Sequence, residues 1–134
     1  GRIVNSLLVM LEELQGPSLV VAATNHEGML DPAIWRRFDE VVMFPWPTGI
    51  QATALLKRLV ERHDTRLGTR LSPPSLSSWP KRLTGMSFAD VERVALDAVK
   101  ATAIDESLGI EEALSIALDR QKARRALTTK TGRK

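Results

Sequence analysis

Along residues 2–14, RIVNSLLVMLEEL, apolar side chains fall at Ile3, Val4, Leu7, Leu8, Leu11 and Leu14, a three-to-four spacing that predicts a helix with a broad buried face. Gly16-Pro17 stops it. The next segment, SLVVAAT (18–24), is apolar, uninterrupted and too short for a typical helix. It predicts a central parallel strand covered on both faces and ending at Asn25. Asp31 before Pro32 reads as an N-cap with a first-turn proline, the start of a short helix through roughly Arg37. EVVMF (40–44) predicts a second buried strand, closed by Pro45-Trp46-Pro47. Thr48 with Gln51 makes a capping box for a helix from 49 to about 63. After Arg70 comes a proline-flanked segment (72–83), then a capped start at Ser87 with Asp90 three residues on. The helix that follows has Val91, Val94, Ala95, Ala98 and Val99 on one face, and Gly109 separates it from a last helix reaching about Leu127. The order is helix, strand, helix, strand and then four helices, with a boundary near Pro47-Thr48.

Composition narrows the chemistry more than it changes this order. The chain has 134 residues, 43% hydrophobic and 26% charged, as a small globular protein does. The absence of cysteine excludes disulfides, thiolate zinc sites and cysteine nucleophiles, and two histidines make no metal cluster, so no metal-ligand set is expected. No apolar run approaches the roughly 18 residues that span a bilayer, and the N-terminus has no signal-peptide pattern, so no membrane contact and a cytoplasmic location are expected. The net charge of +3 comes from the end of the chain: residues 120–134 carry seven Lys/Arg and no acid, while everything before them is net acidic. The pI of about 9.7 therefore describes a tail, not a basic folded face. A solvated terminus is the first reading of that tail, with an acidic partner or nucleic acid as the sharper alternative.

Ligands of open α/β sheets bind beyond the carboxyl ends of the strands, which singles out Asn25. By itself it reads as a turn residue at a strand end, with contact to a phosphate or a water as the alternative. Arg36-Arg37 by themselves read as the basic end of a short helix, satisfying its terminal carbonyls. His26 and His63 read as surface or loop residues, and Glu12-Glu13 and Glu111-Glu112 as solvated helix faces. Trp35, Trp46 and Trp79 are too dispersed to form a stacking platform and fit core or interface positions.

Taken together, AATNHEGMLDPAIWRRFDEVVMFPWP resembles the second region of homology of AAA ATPases: strand, Thr-Asn, loop, Leu-Asp-x-Ala, short helix, two arginines, Phe-Asp, and a strand ending in Pro-x-Pro. LTGMSFADVERVALDA is similar to the family's sensor-2 segment, and the opening helix to the one that follows the Walker B acids. The resemblance covers roughly residues 2–125. It implies that Asn25 is sensor 1, bonding the γ-phosphate or the attacking water. Arg36 and Arg37 would be arginine fingers reaching into the neighbouring subunit's site. Gly85, Ser87, Phe88 and Ala89 would lie against adenine and ribose, with Phe88 either packing on the base or filling the core between the domains. Some branches of the family separate the two arginines with Pro-Gly; here they are adjacent, as in other branches. No arginine stands at the usual sensor-2 position, and Arg93, a turn later, is given no phosphate contact.

No Gly-x-x-x-x-Gly-Lys-Ser/Thr occurs, and no Asp-Glu follows an apolar strand. The expectation is thus the C-terminal portion of an AAA ATPase, α/β in class: the end of a P-loop NTPase parallel sheet (1–47), a four-helix lid (48–127) and a basic tail (128–134). The resemblance implies ATP and Mg²⁺ for the complete module, none tightly bound to this chain alone, and no activity from it in isolation. It further implies a homo-oligomeric ring, a hexamer, acting on a protein or nucleic-acid substrate. The competing expectation is a non-catalytic helical adaptor with an ATPase-like lid. In the family's sheet the P-loop strand lies between the strands at 18–24 and 40–44, so neither pairs with the other. The lid is therefore expected to keep its own core, with 1–47 displaced, paired between chains or completed by a segment outside this sequence.

Overall fold

A computed structural model of the chain describes residues 2–14, 16–25, 28 and 32–131. Its contacts divide into two compact units, Gly1–Phe44 and Pro45–Lys134. In the first unit, α1 spans Arg2–Glu13 and α2 spans Pro32–Trp35. The N-cap expected at Asp31 lies outside the described residues. Among those described, neither 18–24 nor 40–44 forms a strand. Leu19, Val21 and Phe44 are 89%, 81% and 86% exposed, so the segments expected as buried strands are open to solvent. A strand is held by backbone groups alongside it, and the described residues supply no ladder partner for either segment. Leu14, expected on the buried face of α1, is also exposed, whereas Ile34 on α2 is buried.

The second unit is helical: α3 (Gly49–Leu67), α4 (Trp79–Leu83), α5 (Phe88–Ile104) and α6 (Ile110–Thr131). Helix α5 packs against both α3 and α6, and α4 packs on α3. The core takes Ala52, Leu56, Leu59 and Val60 from α3, the Val91–Val99 face from α5, Ala113, Leu114, Ala117 and Leu118 from α6, and Trp79 and Leu83 from α4. Thr48 caps α3 through the box expected from the sequence: Gln51 N–H donates to Thr48 Oγ1 at 3.2 Å, and Thr48 N–H to Gln51 Oε1 at 2.9 Å.

Polar contacts centred on Asp64, Glu111 and Arg82 fasten the connections. Asp64 accepts from the Thr69 hydroxyl and, at 3.0 Å, from Leu71 N–H, folding the chain back after α3. Ser75 N–H donates to Glu111 Oε1 at 2.7 Å, so Glu111 is a tether for the 72–78 loop, which the reading of a plain solvated face missed. The Arg82 guanidinium lies 4.3 Å from the centre of the Trp79 ring and donates to Ser115 Oγ at 3.1 Å, joining α4 to α6.

Two further expectations are corrected here. His63 is buried on the core face of α3, although the sequence reading placed it on the surface. Its neighbours on that face, Leu56, Leu59 and Val60, set the helical register that carries it inward. The last helix continues past Leu127 to Thr131, so the tail expected from 128 is helical in its first residues. No helix among the described residues is long and apolar enough to cross a membrane.

Candidate functional site

The first unit holds Asn25, Arg36 and Arg37. Asn25 sits exposed at a bend directly after the 18–24 segment. The chain turns at the end of α2 through Arg37 N–H to the Ile34 carbonyl at 3.0 Å and Phe38 N–H to the Trp35 carbonyl at 3.3 Å. That turn leaves both arginine side chains exposed. The Arg37 guanidinium pairs with the Glu12 carboxylate on α1, so Glu12 is not simply a solvated residue. Both partners are about half exposed, and such a pair is worth about 0–1 kcal/mol, a weak hold on the guanidinium. A shallow depression in this unit, about 320 Å³, is lined by Gly28, Trp35, Val41 and Met43 and contains none of the candidate residues.

The second unit brings Gly85, Ser87, Phe88 and Ala89 together on the turn that starts α5. Gly85 adopts φ 78°, a left-handed conformation that costs a side-chain-bearing residue free energy. Met86 N–H donates to the Leu83 carbonyl at 3.1 Å, and the Met86 side chain is buried. Ser87 then caps α5: its Oγ accepts from Asp90 N–H at 3.1 Å, while Ser87 N–H and hydroxyl donate to Asp90 Oδ2 at 2.9 and 2.8 Å. These bonds leave the N–H groups of Phe88 and Ala89, at the first two helical positions, directed outward as every helix start leaves them. Both side chains are exposed, Phe88 at 47%, so Phe88 does not fill the helical core.

Asp90 collects more than its cap. Gln121 Nε2 donates to its Oδ1 at 2.7 Å, and Arg125 Nη1 lies 3.6 Å from its Oδ2. Burial pushes the Asp90 carboxyl up, but the Ser87 and Gln121 hydrogen bonds and the Arg125 charge outweigh it and hold its pKa below the ordinary carboxylate value. Arg125 also donates to the Gly85 carbonyl at 2.5 Å, touches Met86 Sδ at 3.4 Å and lies 5.3 Å from the centre of the Trp46 ring. Trp46 is 62% exposed, so its role is this contact and not core filling. Gln121 and Arg125 escaped the sequence reading. Their one sequence signal is an i, i+4 spacing on α6, and their hydrogen-bond partners lie 31 to 40 residues away.

Comparison with known proteins assigns the first unit directly. Residues 1–46 match the family described as ATPase family associated with various cellular activities (AAA). The chain is part of an AAA module. An AAA family ATPase of Sinorhizobium fredii is 37% identical over 111 residues, 83% of this chain and 32% of that protein. The proteasome-activating nucleotidase of Methanosarcina mazei is 31% identical over 132 residues, 87% of this chain and 30% of its own length. An ATP-dependent zinc metalloprotease FtsH of Acidimicrobium ferrooxidans is 39% identical over 108 residues, 72% of this chain and 16% of its own. These alignments are longer than the 46-residue family match, so the AAA likeness extends into the helical unit. The chain spans about a third or less of the length of these relatives. No solved structure matches it. Membership in the family implies the P-loop NTPase fold for the module, of which the helical part is formed among the described residues.

Proposed function

We propose that the chain supplies the end of the nucleotide-binding subdomain (1–47) and the helical lid (48–127) of an ATPase. That ATPase binds ATP with Mg²⁺, hydrolyses it in a homo-oligomeric ring and uses the cycle to remodel a macromolecular partner. The observation that supports this reading is the presence, in one AAA-matched chain, of exposed Asn25, Arg36 and Arg37 together with a capped helix start whose first two amides face outward. A helix N-terminus with open N–H groups suits an anionic or hydroxyl-bearing ligand, and the exposed Phe88 ring and Ala89 methyl suit a flat base. The residues therefore fit the nucleotide. Mg²⁺ at a nucleotide is held by one or two side chains with the phosphates and water, and in this reading those side chains accompany the phosphate cradle.

In this reading Asn25 orients the attacking water or the γ-phosphate through its amide. Arg36 and Arg37 neutralise charge on the transferring phosphoryl group of the next subunit, with Glu12 as the resting partner that Arg37 leaves. The phosphate cradle lies outside residues 1–134, so the isolated chain turns over no ATP. In the whole protein, Arg36→Ala or Arg37→Ala should lower hydrolysis by about 10³ or more while nucleotide binding persists. Mixing either variant with subunits unable to bind phosphate should restore part of the activity. Absence of recovery in mixed rings refutes action between subunits, and equal loss of binding and hydrolysis in Asn25→Ala assigns that residue to structure instead.

A further inference from the structure

Between residues 119 and 128, α6 contributes nothing to the buried apolar cluster. Across residues 119–128 every side chain is exposed except Gln121 and Arg125, and both of these bond the Gly85–Asp90 turn. The last turns of this helix are thus placed by polar contacts and not by burial. Arg125 makes the larger share. One guanidinium meets the carbonyl that the left-handed Gly85 turns outward, the sulfur of Met86, the cap carboxylate of Asp90 and the face of Trp46, which lies in the Pro45–Pro47 segment where one unit gives way to the next. A flat, always-charged fork is the side chain that can bond a carbonyl, pair with a carboxylate and stack on an indole together.

We infer that Arg125 is a positioning residue that, with Gln121, holds the Gly85–Asp90 turn in the geometry that receives the nucleotide, so that the C-terminal end of α6 sets nucleotide affinity without touching the nucleotide. The inference rests on the reading of that turn as nucleotide-facing. Because no residue from 119 to 128 belongs to the buried apolar cluster, displacing this stretch frees the turn with little loss of that cluster.

The test uses the whole protein with Arg125→Ala and Arg125→Lys, and has two readouts. Amide exchange at Ser87 and Asp90, whose N–H groups bond within this network, should quicken by about tenfold or more in Arg125→Ala. KM for ATP should rise about fivefold or more, with kcat changed less than about twofold. Arg125→Lys keeps the charge beside Asp90 but not the fork, and should preserve the melting temperature yet leave KM raised. Unchanged exchange, or faster exchange with a wild-type KM, overturns the inference, as does full rescue of KM by lysine. Should the wild-type protein bind no ATP, the functional reading itself falls, and the exchange result still decides whether Arg125 holds the turn.

Discussion

At Asp90 the donors of Ser87 and Gln121 and the Arg125 cation converge on a single carboxylate, and at His63 a ring nitrogen is buried with none. Both matter to stability, over different pH ranges. Burial first, then the Arg66 charge, pushes the His63 pKa below 6.5, with Arg62 and Lys100 adding to the shift and Glu92 opposing it. As the pH drops below 6.5, the unfolded chain takes up a proton that the folded chain refuses. The stability that neutral His63 confers is complete above that pH and is lost as pH falls through the folded-state pKa. Melting temperatures taken at about pH 7.5 and about pH 5 should fall in the wild type and fall less in His63→Leu, which carries no proton and leaves no orphaned nitrogen. An equal fall in both assigns the pH dependence to other groups. Asp64 and Asp90, held below 3.8 by their hydrogen bonds, act in the same direction at lower pH: their contribution is present above 3.8 and is lost in stronger acid.

The helix starts carry the next predictions. Ser87→Ala removes the acceptor for Asp90 N–H and should destabilise the helical unit by about 1 kcal/mol, read from denaturant midpoints. Gly49 tests packing rather than capping. A Cβ there would stand 2.0 Å from the Pro80 carbonyl oxygen, so only glycine lets the first turn of α3 meet the backbone of α4. The atom in the way is backbone and cannot swing aside. Gly49→Ala should therefore cost about 1–3 kcal/mol even though alanine is the better helix former. A stabilised Gly49→Ala variant would mean that the two helices do not approach in this way.

Among the described residues, the buried apolar cluster lies in one of the two units. The buried hydrophobic cluster runs from Ala52 to Leu118, all of it within Pro45–Lys134, while Leu19, Val21, Val42, Met43 and Phe44 of the other unit face solvent. Residues 45–134 should accordingly unfold cooperatively as an isolated fragment with helical circular dichroism, and residues 2–44 alone should show no such transition. Exposed apolar segments also favour self-association. In sedimentation, the full chain should associate with rising concentration while 45–134 stays monomeric. A monomeric full chain at the same concentrations counts against that reading of 18–24 and 40–44.

Local patterns were sufficient wherever a structure is made from neighbours in sequence. Both capping boxes are legible as Thr48 with Gln51 and Ser87 with Asp90, because each needs only four consecutive residues. The apolar face of α5 is legible from its own spacing. Asn25, Arg36 and Arg37 were named as candidates from the ordered pattern around them, since the AAA likeness is itself written in consecutive residues. The strands were read from the same kind of local signal and did not form, because a strand is stabilised by a partner that its own sequence does not contain. For the same reason His63 moved inside, Glu111 became a tether, and Arg125 came to hold Gly85. Each of these depends on which helices pack together, so the sequence determined the helices and their caps, and tertiary packing alone decided which distant polar groups meet.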